Sequence, residues 1–355
     1  MKKHISLLLT LALVLALFAG CAGTRVVYYT DCTCPAGSHN APAQDDKPVA
    51  EGAVKTGLYI GTNISGTTAA TAEENGKADY DVTLVAVTLD DKGIITDCVI
   101  DSLGTSVAFD AAGLPTGFDP EAAIQTKNEL GDNYGMVAYG GAKYEWYQQA
   151  AALADFAVGK TVEELKSGAI DDSGKAADAD LASTATIYLG GYVAAIEKAA
   201  ANAQHLGAQA GDELKLASIN ALTAAPGEEA GGSAELTCDV TALTVKDGKI
   251  TSCVIDSLQA SIAFNGDGTV ATDLTAPVQT KNEKGEAYGM KAWGGAIAEW
   301  NEQAASFAAY VTGKTAAEVA GIAVDEGTKP TEADLATSVT IAVGGFQALI
   351  AKAMQ

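Results

Sequence analysis

Two short segments gather most of the hydroxyl chemistry that is spaced alike in this 355-residue chain. They read Asp180-Leu-Ala-Ser-Thr-Ala-Thr186 and Asp334-Leu-Ala-Thr-Ser-Val-Thr340. Each sets a hydroxyl three residues after an aspartate, Ser183 or Thr337, and another six residues after it, Thr186 or Thr340. Each then runs into a glycine pair, Gly190-Gly191 or Gly344-Gly345. Histidine is the usual acid–base residue near neutral pH. The chain has only His4, His39 and His205, none of them duplicated, which argues against a paired Ser-His-Asp hydrolase or histidine-ligated zinc enzyme. There is no Gly-x-x-x-x-Gly-Lys-Ser/Thr phosphate loop. Arg25 is the only arginine, so guanidinium clamps for phosphate are missing. No catalytic residue is assigned.

The elements that must position these hydroxyls occur twice. Cys98-Val-Ile-Asp101-Ser-Leu103 returns as Cys253-Val-Ile-Asp256-Ser-Leu258, and Gln125-Thr-Lys-Asn-Glu129 as Gln279-Thr-Lys-Asn-Glu283. Tyr134-Gly-Met136 returns as Tyr288-Gly-Met290, and Glu145-Trp146 as Glu299-Trp300. A period of domain size signals two tandem domains, assigned to residues 53–205 and 206–355, and not a solenoid. Alternation over Asp81–Leu89 predicts a strand, Asp91-Lys-Gly93 a turn, and Ile94–Ile100 the return strand. Asp247-Gly248 is the second turn. A helix is expected from about Ala142 to Val158, stopped at Gly159. Thr161-x-x-Glu164 and Thr315-x-x-Glu318 read as capping boxes. Tyr192, Val193 and Ile196, then Phe346 and Ile350, mark a helix after each hydroxyl segment. Strands first and helices later predict an α+β domain, present in two copies. Residues Gln204–Gly211 are the expected junction about which the copies can shift.

The N-terminus sets the compartment. Lys2 and Lys3 precede an apolar run from Ile5 to Phe18, too short to span a bilayer, and then Ala19-Gly20-Cys21. This layout resembles a bacterial lipobox, with residues 1–20 as signal peptide and Cys21 lipidated. Residues 21–52 lack apolar periodicity and read as a flexible tether. Cys32, Cys34 and His39 lie there, and no metal site is read from them. The net charge of −23 opposes nucleic acid and anionic lipid, leaving membrane attachment to the lipid anchor. Cys98, Cys238 and Cys253 are too few for a disulfide scaffold. Cys98 and Cys253 read as buried strand positions, and a Cys238–Cys253 bridge stays open.

The hydroxyl segments resemble the flavin-transferase acceptor motif, Asp-x-x-Ser/Thr-Gly-Ala-Thr. The order of the duplicated elements around them resembles the PplA-type flavinylated lipoproteins of Gram-positive bacteria. The resemblance implies FMN joined by its phosphate to Thr186 and Thr340, each domain being FMN-binding-like. It implies an ApbE-like flavin transferase and a membrane quinone-linked electron donor as partners, and a location on the outer face of the cytoplasmic membrane. Asp180 and Asp334 would then be recognition elements, with Ser183 and Thr337 completing the motif. The chain departs from the pattern at Thr184 and Ser338, where glycine is usual, and at Val339, where alanine is.

A phosphate at a helix start is favoured by free backbone N–H groups. Gly190, Gly191, Gly344 and Gly345 would let a planar ring approach the backbone closely. Tyr134, Met136 and Trp146, with Tyr288, Met290 and Trp300, are candidates to border the ring; an aromatic at helical spacing is otherwise core. Lys127 and Lys281 could face reduced flavin or simply lie at the surface. The function expected is a membrane-anchored extracellular electron carrier. The alternatives are a surface lipoprotein that binds a ligand or partner without redox chemistry, and an extracellular flavin-dependent reductase. The competing reading of Thr-x-Ile is a strand leading into a packed helix.

Overall fold

The computed structural model describes residues 52–355. The signal peptide, Cys21, Cys32, Cys34, His39 and nearly all of the tether lie outside the described residues. Within them the chain is mixed α+β with two antiparallel sheets. The first has the order β1 (Lys55–Asn63), β2 (Gly76–Leu89), β3 (Ile95–Phe109) and β4 (Pro115–Thr116); the second has β5 (Glu213–Pro226), β6 (Gly232–Lys246) and β7 (Lys249–Phe264). After the first sheet come α1 (Lys127–Leu130), α2 (Trp146–Ala157), α3 (Val162–Ala169), α4 (Ala179–Thr184) and α5 (Gly190–Ala201). After the second come α6 (Lys281–Lys284), α7 (Met290–Gly294), α8 (Trp300–Val311), α9 (Ala316–Ala320), α10 (Ala333–Ala336) and α11 (Gly344–Ala353).

Each central hairpin shows why β2 reads as an unbroken apolar run at its end. Tyr80, Val82, Leu84 and Ala86 face a core shared with the other sheet, while Val85, Val87 and Leu89 face the helices of their own half. Both faces are covered, so alternation gives way to continuous Val, Leu and Ala. The strands are longer than expected, and β1 and β5 escape the sequence reading because glycine, threonine and asparagine interrupt their alternation. The turns behave as read. Asp90 Oδ1 accepts from the Lys92 and Ile94 amides and Gly93 has φ 79°, while Asp247 and Gly248 both have positive φ in a two-residue turn. Helix α2 begins at Trp146, later than the expected Ala142, because Glu145 is its extended N-cap. Both predicted capping boxes form at Thr161/Glu164 and Thr315/Glu318.

The two sheets share one core. Phe109 and Phe264 stack with ring centroids 4.1 Å apart, and the buried Tyr80 hydroxyl donates to the Ala234 carbonyl at 2.7 Å. The junction is fastened along the outer edge of β1: Val54 N donates to Ala208 O, and Thr56 and Gln204 exchange backbone bonds. The cysteine question is closed. Cys238 points into the core between the sheets and Cys253 into the opposite core beneath α8, so the two thiols lie on opposite faces of one sheet and both are free. Burial pushes the thiols of Cys98, Cys238 and Cys253 up, which keeps them protonated and unreactive.

Candidate functional site

The first turn of α2, and equally of α8, organises the surroundings of the two hydroxyl segments. Gln149 is fully buried on α2. Its Oε1 accepts three bonds, from Thr186 N (2.7 Å), Thr186 Oγ1 (3.1 Å) and Ile187 N (3.1 Å), and its Nε2 donates to Tyr144 O (2.9 Å). Gln303 repeats the pattern with Thr340 N (2.8 Å), Thr340 Oγ1 (3.2 Å), Ile341 N (3.2 Å) and Ala298 O (2.8 Å). Thr186 and Thr340 are themselves exposed. Each hydroxyl proton is thus turned inward, leaving oxygen lone pairs toward solvent. No strand forms at Thr186–Leu189 or Thr340–Val343, against the competing reading of a strand leading into the helix.

Around each threonine the other motif residues take simple places. Asp180 and Asp334 lie in the first turns of α4 and α10 and are exposed. Ser183 Oγ donates back to Asp180 O (2.7 Å) and Thr337 Oγ1 to Asp334 O (2.9 Å), which accounts for the three-residue spacing. Gly190 and Gly344 open α5 and α11, whose N-caps carry no side-chain hydrogen bond. A Cβ at Gly345 would meet nothing within 4 Å, and one at Gly191 only the Tyr188 ring at 3.9 Å. Space therefore remains beside both helix starts. The halves differ beside these glycines. Tyr188, 61 % exposed, lies over Gly174 and Gly190, whereas Ala342 leaves that place open and Thr328 fills part of it.

The second element positioned by α2 is the loop 135–144. Glu145 is buried, and its carboxylate accepts from Met136 N (2.8 Å) and Val137 N (2.9 Å), while Glu299 does the same for Met290 and Lys291. The loop so held displays Tyr139 at 91 % exposure, and its counterpart displays Trp293 at 89 %. Lys143 Nζ reaches Ser183 O at 3.4 Å, which puts this loop beside the hydroxyl segment. Trp146 and Trp300 are core residues, 3 % and 7 % exposed. Lys127 and Lys281 lie over their indole rings and over Tyr134 and Tyr288, as cation–π pairs at 5.0–5.5 Å. Met136 and Met290 are half-buried.

Those lysines are placed by buried aspartates. Asp101 Oδ1 accepts from Ser102 N and Asn128 N, and Asp256 Oδ1 from Ser257 N and Asn282 N, docking α1 and α6 onto their sheets. Burial outweighs these bonds and raises Asp101 to about 6 and Asp256 to about 7. The folded state therefore holds these protons more tightly than the unfolded chain. The stabilising contribution is full below about pH 3.9 and is lost as pH rises through the two folded values. Carboxyl carbon NMR should show two aspartates titrating near 6 and 7, and neither in Asp101→Asn/Asp256→Asn.

Sequence reading missed Gln149, Gln303, Tyr139 and Trp293. Each pair recurs at the repeat spacing, and a glutamine on the apolar face of a helix was the available signal. Among the described residues, no group of three or more His, Cys, Asp or Glu side chains could hold a metal ion. Among them also, no helix is long and apolar enough to cross a membrane. No family model, curated protein or solved structure matches the chain.

Proposed function

We propose that the protein is an extracellular electron carrier with one FMN on each half, esterified through its phosphate to Thr186 and Thr340. The single observation behind this reading is the duplicated threonine: exposed, its hydroxyl oriented by a buried glutamine, and set just before a helix start with no side-chain cap. Esterification needs a reachable hydroxyl and a place for phosphate charge, and the N–H groups of Gly191 and Gly345 supply the latter in a chain without arginine there. Tyr139 and Trp293, with Tyr134 and Tyr288, offer aromatic faces to the ring. FMN when bound supplies reversible electron transfer; the protein supplies attachment and exposure. The lipid anchor on Cys21, the transferase and the quinone-linked donor belong to the same proposal, and rest on the sequence resemblance.

The test is co-production with a flavin transferase. Thr186→Ala should keep flavin on a peptide containing Thr340, Thr340→Ala should keep it on Thr186, and the double variant should carry none. Flavin persisting in the folded double variant would sink the assignment.

A further inference from the structure

The two halves meet along two seams, and the lysine that closes the first has a counterpart that does not close the second. In the seam between β5 and the first half, Lys352 at the end of α11 donates to Ser218 O (2.7 Å) and pairs with Glu129 of the α1 capping box. The equivalent lysine, Lys198 at the end of α5, does not reach across. It donates to the Tyr59 hydroxyl (2.9 Å) and lies over that ring, whereas the residue matching Tyr59 in β5 is Ala217, which offers no hydroxyl. The second seam, between β1 and β7, is left with a cleft of about 360 Å³.

Its carboxylates and its unpaired amide oxygens come from the second half. Thr280, Asn282 and Glu283 of the α6 cap and Asn301 of α8 line it, with Asp256 beneath. The Oδ1 atoms of Asn282 and Asn301 are buried without a hydrogen-bond partner. Glu283 Oε2 accepts from Thr280 N, as Glu129 Oε2 does from Thr126 N; the oxygen that takes Lys352 in the closed seam is Oε1. The rest of the wall is mostly apolar, from Leu58, Ile60, Leu206 and the alanines of α8, with Thr56, Asn202, Gln204 and Thr312 among them. Unpaired acceptors call for a donor, and the closed seam shows an alkylammonium in the matching position. We infer that this cleft binds a small primary amine, its ammonium between Glu283 and the amide oxygens of Asn282 and Asn301 and its alkyl chain against the alanine face of α8. The cleft lies on a different face of α8 from Gln303, so the site stands apart from flavin attachment.

The probe is n-butylammonium, titrated calorimetrically into the full chain, with 1-butanol and butyrate as uncharged and anionic matches. Saturable uptake of one butylammonium per chain is expected, with neither match binding. Glu283→Gln keeps the capping geometry and should weaken uptake about tenfold or more. Ala305→Leu should block the cleft, and Glu129→Gln, in the closed seam, should leave uptake unchanged. Absence of saturable uptake, equal uptake of 1-butanol, or a folded Glu283→Gln chain that binds as tightly as the unsubstituted one would overturn the inference.

Discussion

Gln149→Leu is expected to strip flavin from Thr186 while leaving Thr340 loaded, in the same chain and the same preparation. Leucine has nearly the volume of glutamine but no oxygen. The Thr186 and Ile187 amides lose their acceptor, the Tyr144 carbonyl loses its donor, and the threonine hydroxyl loses the bond that orients it. Leaving such groups unsatisfied costs about 3 kcal/mol. If that cost falls on the geometry the transferase must recognise, attachment at Thr186 slows about 100-fold. Gln303→Leu should produce the mirror result. Site-resolved peptide mass spectrometry reads both, and each half is the other's control. Equal loading of Thr186 in the folded variant would show that the glutamine only stabilises the fold.

The second large effect concerns the core between the sheets. Phe109→Ala removes one ring of the Phe109–Phe264 stack, which is buried on both sides. A phenylalanine-to-alanine change in a packed core costs about 3 to 5 kcal/mol. Because the lost contact joins the halves, both should be weakened together. Thermal unfolding followed by near-ultraviolet dichroism should show one transition, moved down as a unit. Two separated transitions, with the second half unmoved, would mean that the halves are stable apart.

Much of this architecture is legible in the residues, and the exceptions have physical reasons. The hairpin turns, the capping boxes at Thr161 and Thr315, and the helices after Thr186 and Thr340 follow from local chemistry: glycine where φ is positive, a threonine–glutamate pair at a helix start, apolar periodicity. The partner of each half could not be read that way. Val82, Leu84 and Ala86 announce a buried face, but nothing local says that the face is covered by the other copy and not by the half's own helices. Glu145 and Gln149 belong to the same class of miss. Their spacing from Met136 and Thr186 is set by how a helix docks on a sheet, which no short window contains. Trp146 illustrates the reverse. Its duplication made it a candidate to border a ring, and its burial beside Tyr192 places it in the core, with Lys127 over its face.

The most direct measurement is the intact mass of the chain made with and without an active flavin transferase. Two FMN-sized increments are expected with the enzyme and none without it, with visible flavin absorbance tracking the mass. An unmodified mass in the presence of a transferase that loads a control substrate would contradict a flavin carrier.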